Sequence, residues 1–222
     1  APGGAFDRWF AYDGSGHVLY SRFHVVGVRR GDALYKVQVL GFYGELAGAP
    51  QSARYSLRYA LLSPDVTGPT VLVEGLDGTT GTSQPTDADP SGCIRLSDGA
   101  VQMLTPAEAA GSSDWDLCFR RATINVNGGQ GGPGNVSAVN PSAEQLPSET
   151  LDDVKLRTSE SEPAAFEAVD HASLSDPTLV YRGDGVISAF TGRWYQPGTS
   201  PLEPSTEVWL VAGADGETPF VV

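Results

Sequence analysis

Lysine is almost missing from this chain: only Lys36 and Lys155 supply it, so nearly all of the 14 positive side chains are arginines, set against 27 carboxylates for a net charge of −13. That balance excludes nucleic acid and anionic membrane surfaces as electrostatic partners, and leaves the acidity to serve solubility or the attraction of cations. Charged residues of either sign reach 18%, below the usual ~25%, so Ser, Thr, Asn, Gln and Gly must finish the surface. Long apolar runs are missing as well. No window approaches the ~18 consecutive apolar residues of a membrane helix, which excludes a spanning helix. The N-terminus lacks the charged and apolar regions of a signal peptide, which fits either a cytosolic protein or a mature chain. Catalytic signatures are equally scarce. There is no GxSxG and no HExxH, and the glycine run at 128–134 lacks the lysine and following helix of a phosphate loop. Asp152 and Asp153 are adjacent, so no regular element puts them on one face. Cys93 and Cys118 are the only cysteines. An even pair in a Gly-, Thr- and Ser-rich chain points to a disulfide in an oxidising compartment, with two buried free thiols as the alternative.

What the chain does have is turn residues and alternation. Its 222 residues allow one generous domain or two small ones, and 27 glycines with 16 prolines make turns frequent. Residues 33–43 read ALYKVQVLGFY, with Tyr35, Val37, Val39 and Tyr43 on one face and Leu34, Lys36, Gln38, Leu40 and Phe42 on the other; residues 53–62 alternate in the same way. The turn-rich stretch between them predicts a hairpin over 33–62. Further strands are predicted at 18–28, 70–75, 93–96, 115–126, 177–182, 186–193 and 208–212. Helix is predicted only at 105–110, where Thr105 precedes Pro106, and at 142–156. The pattern predicts an all-β fold, an antiparallel β-sandwich or barrel with short helices only. The segment 128–172 reads as a long functional loop region or a partly mobile one. Arg8-Trp9-Phe10 and Arg193-Trp194-Tyr195 each introduce a turn, a strand and an acidic turn, as two copies of one entry motif.

The run Ser113-Asp114-Trp115-Asp116-Leu117-Cys118-Phe119-Arg120-Arg121, followed by Asn125-Val126-Asn127-Gly128-Gly129, resembles the Trp-Asp strand and Asn-Gly-Gly turn of HmuY-type haem-binding lipoproteins. The resemblance extends to residues 71–104, to Trp194-Tyr195 with 208–216, and to Tyr35-Lys36-Val37-Gln38 with 53–60. The order departs from the family. There the Tyr-Lys-x-Gln hairpin closes the chain, whereas here it opens it. Residues 65–222 therefore resemble a family domain lacking its last hairpin, and residues 1–64 a module that supplies it. The hairpin would complete its own sheet as a circular permutant, complete a neighbour's by exchange through 33–62, or belong to a tandem array.

The resemblance implies an extracytoplasmic protein that binds haem and does not catalyse, serves iron acquisition, and has an outer-membrane haem receptor as partner. Haem iron takes axial ligands from His or Met. Placed against the family pattern, His171 falls where the first ligand sits, after the glycine-rich turn, and His17 where the second sits, after the Trp-aromatic pair. His24, in mid-strand, reads as a satisfied histidine, and Met103, in AVQML, as core. A second, calcium-like pattern places Asp87, Asp89 and Ser91 at loop positions 1, 3 and 5, Gly92 at 6 and Asp98 at 12. Against it stand Pro90 at position 4, Asp in place of Glu at 12, and no flanking helices; an ordinary acidic turn is the alternative. Asn135-Val136-Ser137 matches a glycosylation sequon. The other function class is a cell-surface structural or interaction protein without cofactor, assembling by strand exchange between subunits.

Overall fold

The structure, a computed structural model, describes residues 4–79, 86–145, 148–185, 196, 201, 203–206, 208, 210–212 and 219–221. The chain forms two compact units, residues 3–186 and 187–222. In the first, the hairpin β1 (Phe10–Asp13) and β2 (Val18–Ser21) leads into β3 (Val25–Arg30), β4 (Ala33–Leu46), β5 (Ala49–Leu62) and β6 (Val71–Asp77). There follow β7 (Ser91–Ile94), β8 (Val101–Leu104), helix α1 (Pro106–Gly111), β9 (Leu117–Arg120), β10 (Thr123–Val126) and β11 (Val136–Val139). A 3₁₀ turn at Pro141–Gln145 and the short helices α2 (Leu151–Lys155), α3 (Pro163–Glu167) and α4 (His171–Ser175) complete it. The described part of the second unit holds β12 (Leu210–Ala212) paired antiparallel with β13 (Pro219–Val221). The predicted strand 186–193 and the pair Trp194-Tyr195 lie outside the described residues.

Two antiparallel sheets carry the first unit, one in the order β11-β3-β4-β5-β6 and the other β10-β9-β7-β8. The 33–62 hairpin is the centre of the larger sheet within a single chain, since β4 pairs with β3 and β5 pairs with β6. Three of its strands come from before residue 64 and two from after it. The sheets pack face to face as an all-β sandwich, and no closed barrel forms among the described residues. Val28, Val37, Tyr55 and Leu57 from one sheet meet Ile94, Leu117, Phe119 and Val126 from the other in one core, with Phe6 and Trp9 packed into it. Burying such a side chain is worth about 1.5–3 kcal/mol, so this interface is the main source of stability.

One predicted face assignment is corrected here. Val39 and Phe42 both enter the core, and Tyr43, expected beside Val39, is 43% exposed. The cause is a pair of register shifts in the β4–β5 ladder, between Val39 and Gly41 and between Gly41 and Tyr43. A bulge breaks the period of two, so alternation counted across it lands on the wrong side. The predicted strand 18–28 is likewise divided at Arg22–His24, where Phe23 adopts φ +55° and its N–H turns to Ser21 Oγ. The stretch 177–182 contributes a single bridge, Arg182 to Ala138, because Asp176 first folds it back by accepting from Thr178 N–H and Oγ1. Met103, expected in the core, is 45% exposed on β8, an edge strand.

The outer face of β4 and β5 explains why the first strand reads as apolar on one face only. Lys36 and Gln38 are buried there under the 148–176 segment. Lys36 Nζ donates to the carbonyls of Phe166 (2.7 Å) and Val169 (2.8 Å), and Arg58 donates to Gln38 Oε1 and to the carbonyl of Glu162. Both cations lie over the Phe166 ring, Lys36 Nζ 4.4 Å and the Arg58 guanidinium 5.0 Å from its centre. Leu174 of α4 packs on Leu34 and Leu62. The predicted helix 142–156 appears in two pieces, the 3₁₀ turn and α2, and the rest of the region expected as loop is partly helical as α3 and α4. Its helices begin on local caps, a Thr150–Asp153 capping box for α2 and Asp170 accepting from Ser173 N–H for α4. At five residues each they are too short to show helical periodicity, and packing holds them. The predicted helix 105–110 appears as α1, with Thr105 and Glu108 forming a capping box and Pro106 at its start.

Candidate functional site

His17 and His171 are not brought together. His17 lies exposed in the β1–β2 turn, where its Nδ1 is 2.7 Å from Tyr12 Oη. That hairpin is tied to the far end of β4, since Leu19 N–H donates to Tyr43 Oη. His171 opens α4, beside Ser175 Oγ, and α4 is anchored through Leu174 at the Leu34 end of β4. At about 3.3 Å per residue, the nine residues from Leu34 to Tyr43 put on the order of 30 Å of strand between the two anchor points. Axial ligands must converge on one iron, so this pair does not fit haem. The third histidine, His24, is satisfied as expected: Nε2 lies 2.9 Å from Glu149 Oε1, and Asn140 Nδ2 3.1 Å from Nδ1.

The calcium-like pattern is not gathered either. Asp89 Oδ2 accepts from Thr86 N–H and Oγ1, closing a local turn. Ser91 is buried at the start of β7, and Asp87 is exposed. Asp98 sits beyond the strand in a two-pronged ion pair with Arg95, which together with the Ala100 N–H holds its carboxyl down to about 2. A chelating loop must curl back on itself, whereas β7 runs straight from Ser91 to Ile94 and carries Asp98 away from Asp87 and Asp89. Among the described residues no group of three or more His, Cys, Asp or Glu side chains is placed to hold a metal.

The concave site that the fold does build lies on the outer face of the smaller sheet. Alternation along β9 sends Leu117 and Phe119 into the core and leaves Cys118 and Arg120 on the other side. Cys93 on β7 stands opposite Cys118 in the ladder, and the two form a disulfide. Helix α1 crosses above them. Trp115 is fixed there by its Nε1–H, which donates to the Ala109 carbonyl at 2.9 Å, and with Ala109, Leu104 and the two cysteines it makes a small second core. Between α1 and the sheet remains a half-open groove of about 190 Å³. Its floor is the disulfide, Trp115 and Leu104, its wall Pro106, Ala109 and Ala110, and its rim Arg120, Asn125 and Gln130.

The glycine-rich turn closes one end of this groove through Gly131. It is built around buried side chains and is filled by them. Asn127 donates to the carbonyls of Ser112 and Trp115 and accepts from Gly134 N–H. Asp184 accepts from Asn125 Nδ2 and Val126 N–H; burial nevertheless pushes its carboxyl up, against those two donors.

Fold and site together define a disulfide-linked, all-β sandwich with one ligand-sized groove among its described pockets. The chain matches no family model, no curated protein and no solved structure. The groove as a unit is not visible in the sequence, because its residues come from β7, β8, α1, β9 and β10. The available signal was the alternation in Trp115-Asp116-Leu117-Cys118-Phe119-Arg120, which already sets Cys118 and Arg120 on the face opposite Leu117 and Phe119.

Proposed function

We propose that this protein is a non-catalytic binding domain of an oxidising, extracytoplasmic compartment, and that it takes a small ligand in the groove beneath α1. The observation that carries this reading is the groove's construction, an apolar floor of disulfide and Trp115 with a few polar side chains at its rim, which is the usual composition of a small-molecule seat. The disulfide supports the compartment, since reducing cytosols keep such pairs open. The likeness of residues 113–129 to HmuY-type proteins supports binding as the role, while the placement of His17 and His171 argues against haem as the ligand. No helix among the described residues is long and apolar enough to cross a membrane.

Amide-resolved NMR with a library of small aromatic and aliphatic fragments tests the reading. Binding fragments should shift the Trp115 indole N–H together with the Ala110 and Gln130 amides, and Ala110→Trp, which fills the groove from exposed α1, should abolish those shifts. Fragments that bind elsewhere, or that bind the filled variant equally well, would overturn it.

A further inference from the structure

We propose that the groove selects small apolar monocarboxylates, with the carboxylate on Arg120 and the apolar body on Trp115, Leu104 and the disulfide; this rests on the groove being a binding site. Arg120 is held in place by backbone alone. One Nη donates to the Asp89 carbonyl at 2.8 Å and the other to the Thr86 carbonyl. A guanidinium offers five N–H donors, so these two contacts fix its orientation and leave donors for a ligand. Arg22, Arg30, Arg54, Arg95 and Arg157 each face a carboxylate within ion-pair distance; Arg120 faces none among the described residues, as is also true of Arg29, Arg58 and Arg121, but of these it is the one that lines the groove. The described lining of the groove contains no Asp or Glu. A half-buried cation without counter-charge, in a protein of net charge −13, is complementary to an anion that enters the groove.

The rest of the site narrows the anion. The floor next to Arg120 is apolar and aromatic, so the charged end must be attached to an apolar body. The space of about 190 Å³ is somewhat larger than the ~150 Å³ apolar cavities that take up benzene, which suits one ring or a short branched chain. The protein's overall negative field opposes a second negative charge more than a first, which disfavours phosphates and dicarboxylates. Partial enclosure strengthens a charge-assisted pair between the guanidinium and a carboxylate, where water would screen it at an open surface.

The experiment compares phenylacetate with its neutral near-isostere phenylacetamide on the intact, oxidised protein, following the Trp115 indole N–H and the Gln130 amide by NMR titration. Phenylacetate should bind at least tenfold more tightly than the amide. Arg120→Gln should remove that preference while retaining amide binding, with its melting curve recorded as a check on folding. Equal affinity of acid and amide for the native protein would overturn the carboxylate assignment and leave the groove as a neutral site. Absence of groove shifts with either compound would overturn both readings. The acid-to-amide ratio in the native protein decides the matter even if the variant fails to fold.

Discussion

A Cβ on Gly128 would lie 1.9 Å from the Val136 carbonyl oxygen, closer than any side chain can approach backbone. This contact shows what the glycine run is for: it lets the chain wrap around Asn127 and Asp184 with no room for side chains, a packing role in place of a phosphate cradle. Gly128→Ala should therefore lower stability by at least about 3 kcal/mol in urea denaturation, because either β10 or β11 must move. Gly111→Ala at the end of α1 meets open space and should leave stability unchanged or raise it by up to about 1 kcal/mol. Equal costs at the two positions would contradict this account of the turn. The glycines themselves are plain in the sequence, but the buried amide and carboxylate they enclose are not. Asn127 and Asp184 lie 57 residues apart by number, and only folding makes them neighbours.

At the scale of elements, the covering segment 148–176 is fastened by charge as much as by apolar contact. Glu149 is nearly buried and receives Arg22, His24 and Arg157, all within 2.9 Å. Burial by itself would raise its carboxyl, yet the hydrogen bonds from His24, Arg157 and Arg22 together outweigh that and bring it down to about 2. The folded state therefore holds its proton less tightly than the unfolded chain does. Its stabilising contribution is complete above the ordinary carboxylate range and is lost as pH falls from about 5 towards 2. Glu149→Gln should cost on the order of 2 kcal/mol at pH 7 and flatten the acid limb of the stability curve; an unchanged limb would show that other carboxylates carry it.

The disulfide links β7 and β9 across 25 residues of sequence. Closing such a loop in the unfolded chain is worth about 3 kcal/mol on the chain-entropy account. The paired variant Cys93→Ala, Cys118→Ala should lose roughly that amount and loosen the groove floor, read as a lower urea midpoint and line broadening at the Trp115 indole. These elements were legible to different degrees. The strands and α1 show in periodicity and capping residues, whereas α3 and α4 are one turn each and carry too few positions to display a period.

For the whole molecule, the distance between His17 and His171 has a direct consequence. Added hemin should give no low-spin, bis-histidine absorption spectrum, and neither His17→Ala nor His171→Ala should alter what is seen. A bis-histidine spectrum lost in both variants would show that the two ends of β4 approach each other in solution. The β4–β5 hairpin at the centre of the larger sheet also satisfies inside one chain the ladders that exchange between subunits would otherwise supply.

By itself the sequence determined the all-β class, the 33–62 hairpin and the α1 helix, because alternation, turn residues and caps act between residues a few positions apart. The tertiary structure alone decided that β3 and β6 flank the hairpin, that Cys93 and Cys118 share a register, that 148–176 covers Lys36 and Gln38, and that His17 and His171 stay apart. Those outcomes depend on which surfaces can be buried together and which buried polar groups find partners, conditions set by residues far apart in sequence, as between Lys36 and Val169, about a hundred and thirty positions apart, or Asp13 and Lys155, farther still. The lysine scarcity has the same double reading. As composition it excluded acidic partners, and in the fold one of the two lysines proves to be buried, holding a helix end onto the sheet.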